Sequence, residues 1–195
     1  METLQIYLPD YFFLALGLIL FLYMATDGYN LGLGIFSLAA RHEEERGLMI
    51  SSIAPTWHAS QTWLVILGGL LFGAFPVAYG VAMSALYIPV MLMLAGLAFR
   101  GTAIEFYHES PRRARWGLAF GLGSLAATLA QGFILGGLLS GMPVVERQFA
   151  GGFGDWLNPF SLLVAAGGTA GFVLLGTTYL AMKTDGELRQ RALKT

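Results

Sequence analysis

Cysteine is absent from the 195 residues, which excludes disulfides, thiolate metal sites, iron–sulfur clusters and thiol nucleophiles within this chain. Charge is scarce too. Asp, Glu, Lys and Arg make up 12% of the sequence, about half the share in a soluble domain, and a formal net charge of −1 leaves no field to attract nucleic acid. Ahead of the first apolar run there is no Lys or Arg, only Glu2 and Asp10, so a cleavable leader with a basic start is not expected and the first segment reads as a retained span. No phosphate-cradling glycine-lysine loop, HExxH pair or nucleophile elbow occurs.

What the chain has is apolar length: 56% of its residues are hydrophobic and the mean hydropathy is +0.65. Five stretches, about 8–28, 53–75, 77–99, 116–140 and 156–182, are long enough to cross a hydrocarbon core, which takes about 20 helical residues. The expected fold is all-α, a polytopic transmembrane helical bundle of about five spans forming a single integral domain over 1–195. Proline lacks a backbone donor and restrains the residue before it, so Phe75-Pro76 predicts a tight turn between spans two and three. The first run continues to Ala40 and, if helical throughout, would be about 50 Å long. It must tilt, protrude or break, and Asp27-Gly28 is one place for a break.

Charge asymmetry predicts orientation. Arg41, Arg46, Arg100, Arg112, Arg113, Arg115, Lys183, Arg189, Arg191 and Lys194 fall on one side of a five-span topology, and only Arg147 on the other. Basic loops stay in the cytoplasm, which puts the N-terminus outside and the C-terminus inside. Tyr7, Tyr11 and Trp156 suit the outer boundary. Glycines four apart (28/32, 69/73, 117/121, 132/136 and 167/171) are expected to let helices approach closely.

Asp27, in "TDGYNLGLG", is the only carboxylate deep within an apolar run. A charge at bilayer centre costs about 2.5–3.5 kcal/mol on insertion scales, so such a residue faces a bundle interior, water or a partner. Helical spacing gathers Tyr23, Asp27, Asn30 and Gly34 on one face. Two readings stand: a proton-accepting post on an internal path, or a cap for a helix starting at Gly28. In "SIAPTWHASQTWL", His58, Gln61, Thr62 and Val65 share a face between Trp57 and Trp63. His58 is the one histidine near membrane depth, since His42 and His108 lie in charged loops. A bis-histidine haem or a zinc site within this chain is therefore not expected, and His58 reads as a hydrogen-bonded or titrating group rather than an axial ligand. Ser124, Thr128 and Gln131 form a stripe suited to interhelical hydrogen bonds. Glu105 is read as an interfacial partner of Arg100, and no metal site is expected. The residues alone point to a subunit without its own redox centre.

At these stretches the chain resembles subunit II of the cytochrome bd-type quinol oxidases, including the cyanide-insensitive branch. "TDGYNLGLG" is similar to that family's first-helix signature, "SSIAPTWHASQTWLVILGGLLFGAFPVAYG" to its second-helix block and hairpin, and "RGTAIEFYHE" to the segment after its third helix. "LNPFSLL" and "GTTYLAMKTDGELRQRA" resemble the fifth helix and its exit. The resemblance implies a haem-free, non-catalytic subunit of a bacterial inner-membrane respiratory enzyme that oxidises quinol and reduces oxygen to water. The implied partner is subunit I with three haems and the quinol site, with small accessory subunits and a structural quinone in some members. Asp27, Trp57, Gln61 and Trp63 match family positions. His58 stands where many members carry an aspartate assigned to the proton path, and Ala59-Ser60 replace a Gly-Asn pair. The family's usual eight spans exceed the five here, which leaves two expectations open: a truncated or split form, or missing spans supplied by another chain. The alternative is a small transporter or channel component in which Asp27, His58 and Gln61 line one pathway.

Overall fold

The computed structural model describes residues 2–184 and 186–193, most of them helical; Asp185 and Lys194 lie outside the described residues. Helix α1 (Glu2–Ser37) runs unbroken through Asp27-Gly28, contrary to the break considered there. A Cβ at Gly28 would stand 3.1 Å from the Phe172 ring, so the helix carrying Phe172 packs closely here, and Asp27 is held by a distant partner rather than serving as a cap. At 1.5 Å per residue α1 is about 54 Å long, longer than one membrane crossing.

The expected second span is one helix that starts a few residues later than expected and follows a separate short helix. Helix α2 (Glu43–Ile53) places Glu43, Glu44 and Glu45 in its first turn, where carboxylates complement the helix dipole, and α3 (Trp57–Ala74) starts only after Thr56. At Phe75-Pro76 the chain turns by 120° into α4 (Pro76–Ala85), as the proline predicted. The expected third span, by contrast, divides at Leu86, because Pro89 lacks the amide that would reach the Ala85 carbonyl. The crossing helix is instead α5 (Tyr87–Phe106), which carries Arg100 and Glu105 within it rather than in a loop. Helices α6 (Arg113–Leu139) and α7 (Pro159–Lys183) come next, then the short α8 (Gly186–Ala192). Four helices are individually long and apolar enough to cross a membrane, and five units are if α3 and α4 count as one bent element.

Between α6 and α7, strands β1 (Val144–Val145) and β2 (Gln148–Phe149) form an antiparallel hairpin. Its two turn residues, Glu146 and Arg147, both have positive φ, as a two-residue turn matched to strand twist requires. Asn158 then opens α7 with a capping box: its side chain accepts from the Ser161 amide at 2.8 Å while Ser161 Oγ accepts from the Asn158 amide at 3.0 Å.

Helix α6 packs on α5, α7 and α1, and α1 also meets α7 and α3. Small residues make these approaches. A methyl group on Gly32 would overlap the Phe172 carbonyl, and one on Gly96 would stand 2.7 Å from the Gly123 carbonyl. Of the five glycine pairs, 28/32, 117/121 and 132/136 meet neighbouring side chains or backbone, whereas 69/73 and 167/171 face open space within this chain. Two apolar clusters fill the interior. One joins α2, α3, α5, α7 and α8 through Ile50, Ile53, Trp57, Ile104, Leu180 and Leu188; the other joins α1, α5, α6 and α7 through Leu31, Met93, Ala127 and Phe172. Outward, Phe13, Phe21, Val65, Phe99, Leu163 and Leu174 are exposed, as lipid-facing surfaces are.

Candidate functional site

The buried face of α1 carries Tyr23, Asp27, Asn30 and Gly34, the four residues that helical spacing placed together. Across from it, α5 supplies a cation. Arg100 Nη2 donates to Asp27 Oδ1 at 2.9 Å and to Oδ2 at 3.1 Å, and both side chains are 0% exposed. Arg100 therefore does not pair with Glu105, which lies exposed on the same helix; the expected interfacial ion pair is replaced by a buried one. Its physical reason is the register of α5, which turns position 100 inward with Leu97, Gly101 and Ile104 and position 105 outward with Phe106.

Around the pair the polar groups are incompletely matched. Asn30 Nδ2 donates to the Thr26 carbonyl at 3.1 Å and leans on Asp27 Oδ1 at 3.4 Å, while Gln131 Nε2 donates to the Tyr23 hydroxyl at 2.7 Å from α6. Arg100 Nε and Nη1, Asn30 Oδ1 and Thr128 Oγ1 are buried with no hydrogen-bond partner among the described residues. An arginine cannot shed its charge in a protein, so the Asp27 carboxylate is what balances it at this depth. Taking each ion out of water costs several kcal/mol, and the attraction between them returns about 4 kcal/mol at an effective dielectric of 20. Such a pair adds little net stability while intact, yet removing either partner is expensive. It acts as a pin that fixes α1 against α5.

The polar stripe on α6 is only partly used between helices. Gln131 reaches α1, but Ser124 Oγ donates to its own helix at the Phe120 carbonyl.

The second group of expected site residues lies elsewhere. His58 is exposed on α3, its ring stacked on Trp57 with centroids 3.6 Å apart. Trp57 is buried, Gln61 and Trp63 are half-buried, and no contact among the described residues links His58 or Gln61 to Asp27. Trp57 and Gln61 line an open groove of about 440 Å³ with Leu97, Ala98, Gly101, Thr102, Glu105 and Phe106. Gly101 makes room for the Trp57 benzo edge, which a Cβ at this position would approach to 3.0 Å. The groove thus brings an amide, a carboxylate and an indole together between α3 and α5, and the structure divides the expected site residues between it and the buried pair. Among the described residues no group of three His, Asp or Glu side chains is placed to hold a metal ion.

Sequence reasoning missed Arg100 as a site residue. A signal existed: an isolated carboxylate at membrane depth calls for a cation at similar depth. "LAFRGTAIEF" contains one, but with the span ended at Phe99 the arginine fell into a loop.

Comparison with known proteins agrees with the motifs. The sequence model of the family described as cytochrome bd terminal oxidase subunit II matches residues 8–195. The chain is 36% identical over 191 residues to the cytochrome bd-I ubiquinol oxidase subunit 2 of Escherichia coli (strain K12), covering 93% of this chain and 50% of that protein. It is 34% identical over 179 residues to the probable cytochrome oxidase subunit 2 of Haemophilus influenzae, covering 87% and 47%. With the cytochrome bd ubiquinol oxidase subunit 2 of Bacillus subtilis it shares 29% over 192 residues, covering 96% and 57%. The chain spans about half the length of these curated relatives. On a match across nearly its whole length, the chain belongs to the cytochrome bd terminal oxidase subunit II family.

Proposed function

We propose that this chain works as a haem-free subunit of a quinol oxidase in a bacterial inner membrane, with its N-terminus outside and its C-terminus in the cytoplasm. The observation that carries the proposal is the family match over residues 8–195, joined to relatives whose names are those of ubiquinol oxidase subunits. The complex would oxidise two quinols, which release four protons and four electrons, and reduce one O2 to two waters with those electrons and four protons taken up. Electron transfer and oxygen reduction belong to haems in the partner subunit I. This chain's own residues brace that partner and shape the way protons reach it.

The division of the polar residues supports two separate roles. Asp27, bound through both oxygens to Arg100, is committed to holding α1 on α5 and is the positioning residue. His58, exposed beside the Trp57–Gln61–Glu105 groove, stands on a surface where a partner subunit can meet it. An imidazole changes charge near neutral pH and can relay a proton where the family's usual residue is an aspartate. The two groups share no contact that would make a single pathway through this chain, so the oxidase reading is preferred over a self-contained transporter.

Quinol-dependent oxygen uptake in membranes tests this. Deleting the chain should abolish uptake and restoring it should recover it. His58→Ala should slow turnover and change its profile across pH 6–8. Unchanged uptake on deletion would overturn the subunit role, and a pH profile identical to wild type would remove the relay role of His58.

A further inference from the structure

At the end of the fifth span α7 and α8 leave a groove of about 600 Å³ between them. Its apolar lining includes Leu174, Met182 and Leu193, and Lys183 and Arg189 line it as well. Neither cation makes an ion pair among the described residues. Arg191 on the same short helix is committed elsewhere, to Glu45 at 2.6 Å and the Ala39 carbonyl at 2.8 Å, and it anchors α8 so that Arg189 faces the groove. Three threonines also line the cavity, and their protons are already spent: Thr177 and Thr178 donate to the Leu174 carbonyl and Thr184 to the Leu180 carbonyl. The hydroxyl oxygens therefore offer the groove lone pairs, while the donors available to an anion are the two cations.

From this complementarity we propose that the groove binds the headgroup of an anionic phospholipid. Lys183 and Arg189 would hold the phosphodiester, the threonine oxygens would accept from headgroup hydroxyls, and an acyl chain would lie along Leu174 and Met182. Basic pockets at the ends of membrane helices recognise anionic headgroups in this way. Sequence charge agrees: residues 183–195 hold four cations, Lys183, Arg189, Arg191 and Lys194, against two carboxylates, Asp185 and Glu187. The proposal rests on the membrane-span reading alone and is independent of the oxidase function.

The test uses the intact complex purified through a tag on this chain, exchanged into nanodiscs of phosphatidylcholine with 20% phosphatidylglycerol, with retained lipids counted by native mass spectrometry. Wild type should retain phosphatidylglycerol over phosphatidylcholine, and Lys183→Gln/Arg189→Gln should lose that preference by about fivefold per cation removed. The charge-preserving Lys183→Arg/Arg189→Lys variant should keep it, which separates binding from folding. Equal retention in wild type and the glutamine variant would overturn the site. So would displacement of the lipid by millimolar inorganic phosphate, which would make it a simple anion site, or protein covering the groove in the complete complex.

Discussion

Removing one member of the Asp27–Arg100 pair should cost far more than removing both. Both groups are fully buried and joined at 2.9 and 3.1 Å, so Asp27→Asn leaves a guanidinium with no counter-charge in a site where Nε and Nη1 already lack partners. Breaking a buried pair in this way costs about 3–5 kcal/mol. Arg100→Gln strands the carboxylate and should fall in the same range. Asp27→Asn/Arg100→Gln removes both charges together, so neither is left buried without its counter-charge. Its loss should be well below the sum of the singles, with a coupling energy of about 3 kcal/mol. The assay is reversible unfolding of the purified subunit complex in mixed micelles, followed by tryptophan fluorescence, for wild type and the three variants. Single and double losses that add within about 0.5 kcal/mol would refute the pin, because independent sites add and coupled ones do not.

Other outcomes rest on packing and electrostatics. Gly32→Ala should destabilise by about 1–3 kcal/mol because its methyl group meets the Phe172 backbone, whereas Gly68→Ala, with open space around it, should be neutral or slightly stabilising in the same unfolding assay. Burial alone would raise the Glu45 carboxyl, but hydrogen bonds from the Arg41 amide and the Arg191 guanidinium outweigh it and hold the group below its ordinary value of 4.5. A carboxyl depressed on folding contributes its stability above the unfolded value and loses it as pH falls through the folded one. Glu45→Gln should therefore cost about 1 kcal/mol at pH 7, and the gap to wild type should close below pH 4.5, as read from melting temperatures across pH. A gap that does not narrow as pH falls below 4.5 would contradict that link.

Much of the fold was readable because its causes are local. Apolar length announced the spans, Pro76 fixed the turn after α3, and the 3.6-residue period gathered Tyr23, Asp27, Asn30 and Gly34 on the buried face of α1. The breaks were harder. Leu86 ends α4 because of a proline three residues later, inside a stretch whose hydropathy never falters, so an apolar count runs straight across it. Arg100 was hidden for a related reason: a long cation at the edge of an apolar run is compatible with a loop, and only the tertiary placement of α1 supplies its partner. The glycines show the same limit. Those at 32 and 69 look alike in sequence, and tertiary neighbours alone make one a contact and leave the other open.

The most direct test of the oxidase-subunit role is the reduced-minus-oxidised visible spectrum of the complex captured through this chain from its native membrane in mild detergent. Haem bands that travel with a second polypeptide, and disappear from the tagged chain when that polypeptide is stripped away, are the predicted result. A complex shown to be intact yet spectrally silent would contradict it.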